Sequence, residues 1–398
     1  MAVPKIRFPG FTEDWEQRKF EDVFEEYSEK NHEELPPLTI IQGQGTIRRD
    51  ESDRALQYDK SSLHNYKMVN VGDFILHLRS FEGGLEVAKQ QGIISPAYHT
   101  FHGKESDSRF YYPFFRSYQF INVLLKPHVF GIRDGKSIDV EGMKKIEIPY
   151  PSYEEQKQLG DFFDQLDKTI TLHQRKLESM KLLKKSLLQK MLPKSGETVP
   201  EVRFPGFTDA WEQRKLSGMA TFSKGSGYSK ADLKTSGKPI ILYGRMYTKY
   251  ETIIRNVDTF AEEKAGSVYS ESGDVIVPAS GETAQDISRA SVVANSGILL
   301  GGDINIIHPN NELNPGFLAL TISNGNQQKK LSMKAQGATI VHLHNEDLKG
   351  VDILCPSIDE QTLISEFFER IDNTITLHQR KVEILHKLKK SLLQQMFV

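Results

Sequence analysis

Residues 151–191 read PSYEEQKQLGDFFDQLDKTITLHQRKLESMKLLKKSLLQKM. Residues 356–396 read PSIDEQTLISEFFERIDNTITLHQRKVEILHKLKKSLLQQM, 205 positions further on. The octet TITLHQRK is identical in both, at 169–176 and 374–381. Both segments predict a long helix. A proline, which cannot sit deep in a helix, is followed directly by Ser152-x-x-Glu155 or Ser357-x-x-Glu360, the pattern of a capping box. Apolar residues then recur at three- and four-residue steps, through Leu159, Phe162, Phe163, Leu166, Ile170, Leu177, Met180, Leu183, Leu187 and Met191. The second copy repeats the seam from Ile364 to Met396. Sustained over several heptads, this is a coiled-coil pattern. Pro193 and Gly196 stop the first helix. His173 and His378 fall on or beside the seam, where a register-setting polar residue is the plainer reading than a metal ligand.

A second repeat precedes each block. RFPGFTEDWEQRK (residues 7–19) returns as RFPGFTDAWEQRK (residues 203–215). Phe8, Phe11 and Trp15, with Phe204, Phe207 and Trp211, are expected to pack around a Pro-Gly turn. The stretches between arm and tail look almost unrelated. The chain therefore divides into an N-terminal arm (1–19), a first variable block (20–150), a first spacer helix (151–192), a linker and second arm (193–216), a second block (217–355) and a second spacer helix (356–398). The short linker makes the second block begin near the far end of helix one. Helix two then has to return antiparallel, over about 60 Å at 1.5 Å per residue. The expected fold is α+β: two mixed α/β domains separated by a long antiparallel two-helix coiled coil, with a pseudo-two-fold internal repeat.

Bulk chemistry names no partner, since 51 Lys and Arg stand against 53 Asp and Glu. One cysteine excludes an internal disulfide and suits a reducing compartment. No signal-like or membrane-length apolar run is visible, so a soluble cytoplasmic protein is expected.

The two blocks share a faint skeleton. Val71-Gly72-Asp73-Phe74-Ile75 matches Ser272-Gly273-Asp274-Val275-Ile276, a turn feeding a strand. FILHL, INVLL, PIILY, DVIVP and INIIH read as strands. Gly135-Lys136-Ser137-Ile138 matches Gly337-Ala338-Thr339-Ile340. Loops then carry the candidate binding groups. Residues 221–249 hold Lys224, Lys230, Lys234, Lys238, Arg245 and Lys249 against one acid, Asp232, with Tyr228, Tyr243, Tyr247 and Thr248 interleaved. Basic side chains among hydroxyls and aromatics suit phosphate and base-edge contacts, and a solvated lysine-rich surface reads equally well. The first block offers Gln42, Gln44, Arg48, Arg49, His77, Arg79 and Tyr98, with Lys136 and Thr339 at the matched turns. All of these residues but Asp232, Lys234 and Lys238 are the candidates for DNA contact.

Catalytic constellations are missing. GIRDGKS is one residue short of a phosphate-binding loop, GSGYSK lacks a third glycine, and His32-Glu33-Glu34 lacks a second histidine. Neither a methyl-donor loop nor an Asn-Pro-Pro-aromatic tetrapeptide appears. No catalytic, cofactor-binding or metal-binding residue is expected.

The FPGF…W arm, the PS-x-x-EQ opening and the FF…D…TITLHQRK…L-KK-SLLQ-M tail, doubled around divergent blocks, resemble the DNA-specificity subunit of type I restriction–modification enzymes. The resemblance covers essentially the whole chain. It implies a non-catalytic chain whose two target recognition domains each read half of a split double-stranded DNA site. It further implies helices that act as ruler and as docking surface for two methyltransferase subunits, joined by restriction subunits. S-adenosylmethionine, ATP and Mg would be bound by those partners and not by this chain. Two unlike readers at fixed spacing fit an asymmetric bipartite target. The competing reading is a non-catalytic dumbbell scaffold that binds two protein partners.

Overall fold

Polar caps and periodic apolar residues fix the two longest elements of the computed structural model, which describes residues 4–52, 60–77, 84–130, 137–335 and 340–397. The helices run Tyr153–Met191 and Ile358–Met396, 39 residues each. Ser152 Oγ accepts the Glu155 N–H at 3.3 Å and Ser357 Oγ that of Glu360 at 3.4 Å. Only this half of the expected capping box forms. The Glu155 and Glu360 carboxylates instead receive the guanidinium forks of Arg7 and Arg203, since a two-pronged charged bond outcompetes one backbone N–H.

Along the first helix Leu159, Phe163, Leu166, Ile170, His173, Leu177, Met180, Lys184, Leu187 and Met191 alternate four- and three-residue steps, and none is exposed. That strict heptad corrects the expected seam. Leu183 is 46% exposed and its counterpart Leu388 45%, whereas Leu188 is buried. A 3.5-residue period brings Lys184 inward in place of Leu183.

The chain forms two compact units, Met1–Gln174 with Arg380–Val398, and Arg175–Gln379. Each long helix gives one part to each unit. Within the first, Leu385, Leu392, Met396 and Phe397 pack with Leu159, Phe163 and Ile170. Asp167 meets Lys389 at 2.5 Å and Gln174 meets His386 at 3.2 Å, so these segments run antiparallel. Within the second, Met180, Leu188 and Met191 pack with Ile364, Phe368, Ile371 and Ile375.

The first unit holds a four-stranded antiparallel sheet, in the order Phe24–Tyr27, His99–Gly103, Phe74–Leu76, Glu86–Val87. The second holds Ala220–Lys224, Ile304–Pro309, Asp274–Pro278 and Ser291–Val293 in the same antiparallel arrangement, with Ile253–Ile254 added in parallel. The matched Gly-Asp turns enter equivalent strands, and Gly72 and Gly273 adopt φ of 93° and 95°, a region that favours glycine. The cores differ in kind. Phe20, Phe24, Phe74, Phe101, Tyr111 and Phe115 fill the first, while Val275, Val277, Ile307, Leu318 and Leu320 line the second. The expected strand INVLL is instead part of a π-helical stretch, Gln119–Leu125, begun by Ser117 Oγ accepting the Phe120 N–H at 3.1 Å. No helix among the described residues is long and apolar enough to cross a membrane.

Candidate nucleic-acid interface

The repeated residues build the frame on which each block is mounted. Arm strand Glu16–Lys19 pairs antiparallel with Glu147–Tyr150, and Glu212–Lys215 with Asp352–Cys355. Arg7 grips Glu155 at 2.8 and 2.6 Å, and Arg203 grips Glu360 at 2.8 and 2.7 Å. Phe8 packs edge-on against Phe162 and Phe204 against Phe367, so these two lie on the long helices, while Trp15 meets Phe110 and Trp211 meets Phe317 within the blocks, in place of the expected cluster around the turn. The next residue ties the block. Gln156 Nε2 donates to the Pro151 carbonyl at 2.9 Å, and its Oε1 accepts the N–H of Asp107, the cap of helix Ser108–Phe115. Gln361 does the same with Pro356 and with Asn314, the cap of helix Pro315–Ser323. In the Pro-Ser-x-x-Glu-Gln motif, glutamate therefore holds the arm and glutamine the block.

A buried aspartate recurs inside each block. Asp73 accepts from His102 at 2.7 Å and Asp274 from His308 at 2.6 Å, each clamping two neighbouring strands. Ser223 adds to His308 at 2.8 Å, whereas in the first block Tyr27 bonds Asp73 directly. The repeated device is the strand clamp, and its third member, a hydroxyl, differs between the copies.

In the first block, Gln42 and Gln44 are exposed at the tip of a hairpin formed by Leu38–Ile41 and Gly45–Arg48. Arg48 is exposed and paired with Asp50. Arg49 is half-buried, donates to the Leu38 carbonyl at 3.2 Å and lies over Tyr66, so its place is structural. Tyr98 is half-buried, its ring 5.5 Å from that of His77. Burial pushes the His77 pKa down, which keeps that imidazole neutral. Arg79, Lys136 and Thr339 lie outside the described residues.

The second block divides its candidates sharply. Lys224 and Lys230 are exposed. Tyr228 between them is a correction: its ring is buried with Ile240, Ala261 and Leu299, and its hydroxyl is spent on Glu262 and Ser267. Arg245 is another. Its side chain is 7% exposed and meets Asp258 at 2.6 Å and Glu251 at 2.7 Å, so the guanidinium neutralises its own domain. Lys249 shares Asp258 at 2.8 Å, and the Lys249 ammonium first, then Arg245, holds that carboxyl down to about 2. Tyr243 stays exposed with its ring 5.9 Å from Tyr247, whose hydroxyl donates to the Ser280 carbonyl. Thr248 is exposed and returns its hydroxyl to the Gly244 carbonyl. The exposed set that remains is Lys224, Lys230, Tyr243, Thr248 and Lys249.

The sequence model of the type I restriction modification DNA specificity domain matches twice, over residues 12–182 and 208–387. The chain belongs to this family. Specificity chains are its non-catalytic members. Similar proteins include the type I restriction enzyme MjaVIII specificity subunit of Methanocaldococcus jannaschii, 21% identical, in a match covering 64% of this chain and 62% of that protein. The putative MjaX specificity subunit of the same organism is 21% identical over 98% of this chain and 94% of its own. The fold is similar to the S subunit of a type I restriction–modification system from M. genitalium, with a TM-score of 0.62, 14% identity and coverage of 100% of this chain and 99% of that one. A chain from a structure on assembly and conformational transition of a type I system gives 0.50, 15% identity, and 96% and 97% coverage.

Both specificity domains also use residues that composition and motif reading pass over. Arg7, Arg203, Gln156 and Gln361 lie inside the repeated motifs and are visible there as repeated polar positions, without an evident task. Glu86 leaves one signal, a charge between Leu85 and Val87 in a stretch that otherwise reads as buried strand. Among the described residues no group of three or more His, Cys, Asp or Glu could hold a metal ion.

Proposed function

We propose that this chain is the DNA-reading subunit of a type I restriction–modification complex, each specificity domain reading one half of an asymmetric bipartite duplex target. The observation that carries it is the contrast between frame and face. Arm, latch and helix opening are the same twice, while the loops mounted on them differ. One frame holding two different faces suits two different half-sites at one spacing, with the long helices as the spacer.

The same contrast supports two copies of one methyltransferase as partners, joined by restriction subunits. Apolar side chains are exposed at matched helix positions: Leu172 with Leu377, Leu183 with Leu388, and Tyr153 with Ile358. Repeated apolar exposure on a repeated frame fits a partner that binds twice. S-adenosylmethionine, ATP and Mg then belong to those partners. A near-neutral chain lacks the phosphate-neutralising charge of a lone DNA binder, so the partners supply much of the grip. Mapping N6-methyladenine in a host expressing this chain with its methyltransferase tests the proposal. A split site whose one half changes when residues 217–355 are exchanged supports it; change in both halves, or no sequence-defined site, defeats it.

A further inference from the structure

The hairpin carrying Gln42 and Gln44 is held from below by a buried acid. Its strands pair Ile41 opposite Gly45, and Gly43 and Gly45 take φ of 74° and 79°, so the backbone of the tip is one that few side chains tolerate. A three-residue tip that holds one such glycine and is followed directly by another has no stiffness of its own. Glu86, on the strand Glu86–Val87 and 2% exposed, supplies it. One carboxylate oxygen accepts the Gly43 N–H at 2.8 Å and lies 2.7 Å from the Arg116 guanidinium. The other accepts the Gly45 N–H at 3.1 Å and the Tyr112 hydroxyl at 2.7 Å. A Cβ on Gly45 would stand 2.6 Å from the Val87 carbonyl oxygen, so the hairpin floor touches the strand beneath it.

Both backbone amides that flank Gln44 are thus spent inward, and both glutamine side chains point to solvent from a fixed base. A buried carboxylate without partners is costly, so three hydrogen bonds and the Arg116 ion pair converging on Glu86 hold it in place. An amide side chain can pair with both N6 and N7 on the major-groove edge of adenine only when its backbone is held to within a fraction of an ångström. Resting on the DNA-reading proposal above, we infer that the Gln42-Gly43-Gln44 tip is the base probe of the first specificity domain, and that Glu86 is its positioning residue.

The test uses the full chain assembled with its methyltransferase partners and a duplex library carrying single-base changes in each half-site. Gln42→Ala and Gln44→Ala should lower discrimination at adjacent base pairs of one half-site by about 10-fold, the scale expected when a bidentate base pairing is removed. Glu86→Gln, of equal size, should relax discrimination at those same positions and leave the other half-site as in the parent. Tyr112→Phe removes one of the three hydrogen bonds to Glu86 and should give a smaller shift at the same positions, which keeps the test decisive if Glu86→Gln folds poorly. Purely structural damage would lower the yield or rate of the complex at all sequences without altering base preference. Unchanged preference in the glutamine variants, or equal loss at both half-sites in Glu86→Gln, overturns the inference while the parent still reads a split site. A parent complex that methylates no defined site defeats the DNA-reading proposal itself.

Discussion

Lys184 Nζ lies 2.5 Å from Asp372 Oδ1 within the second unit, and the pair reappears 205 positions round the repeat as Lys389 and Asp167 in the first. A lysine at a seam position normally weakens a helix pair, but here each one finds a carboxylate on the facing helix segment and pins the register. The two copies are not equal. Asp372 also accepts the Thr252 hydroxyl at 2.9 Å, and it is 27% exposed against 51% for Asp167. Asp372→Asn should therefore destabilise by about 1 kcal/mol and Asp167→Asn by about 0.5 kcal/mol or less. The chain's two tryptophans report on the units separately, Trp15 in the first and Trp211 in the second. Denaturant melts of Trp15→Phe and Trp211→Phe backgrounds resolve the difference. Equal losses would remove the role assigned to Thr252.

The arm latch gives a larger and also unequal pair of effects. Glu155 and Glu360 are each 1% exposed beneath their arginines. Glu155 accepts the Trp15 indole N–H as well, at 3.1 Å, whereas the Trp211 indole N–H finds no acceptor among the described residues. Removing one partner of a buried pair strands the other charge. Glu155→Gln should cost about 3 kcal/mol and Glu360→Gln about 1 kcal/mol less. A red shift of Trp15 emission in Glu155→Gln, with no such shift of Trp211 in Glu360→Gln, is the accompanying signature.

The long helices are legible in the sequence because capping serines and a seam of several heptads agree with each other. The Gly72 and Gly273 turns are legible because a glycine–aspartate step before β-branched or aromatic residues has few alternatives. The seam reads one residue off at Leu183 because two adjacent leucine pairs, Leu182-Leu183 and Leu187-Leu188, offer neighbouring registers. Residue type alone says nothing about direction. Tyr228 and Arg245 carry the chemistry of DNA contacts, yet a loop turns the first inward and the short helix Arg245–Thr248 the second, where a ring fills the core and a guanidinium meets two acids. Glu86 is hidden for the opposite reason: its four partners come from residues 43, 45, 112 and 116, and no local pattern joins them.

The end of the second long helix closes on the first arm. Phe397 sits 5.5 Å from the Phe110 ring, 5.2 Å from Phe114 and 6.2 Å from Trp15, and the Lys5 N–H donates to the Gln395 carbonyl at 2.9 Å. Phe397→Ala should destabilise the first unit by about 3 kcal/mol, through reduced burial and the cavity left among those rings. The Trp15 transition should move to lower denaturant while the Trp211 transition stays put.

The split within the basic loop of the second specificity domain separates charge that can reach DNA from charge already spent. Arg245→Met should cost about 2 kcal/mol, because Asp258 and Glu251 lose their buried counter-charge. The Asp258 carboxyl, held at about 2 in the fold and about 4 in an unfolded chain, contributes stability that is complete above about pH 4 and is lost as pH falls through about 2. Lys224→Ala and Lys230→Ala should leave stability within about 0.5 kcal/mol of the parent, both side chains being exposed. In the assembled complex each should lower the slope of log K against log salt by about one, as expected when one lysine no longer neutralises a phosphate, and weaken all sequences alike. Salt titrations on cognate and scrambled duplexes read both effects. An unchanged slope would place these lysines away from DNA, and a change confined to the cognate duplex would make them base readers instead of phosphate ligands.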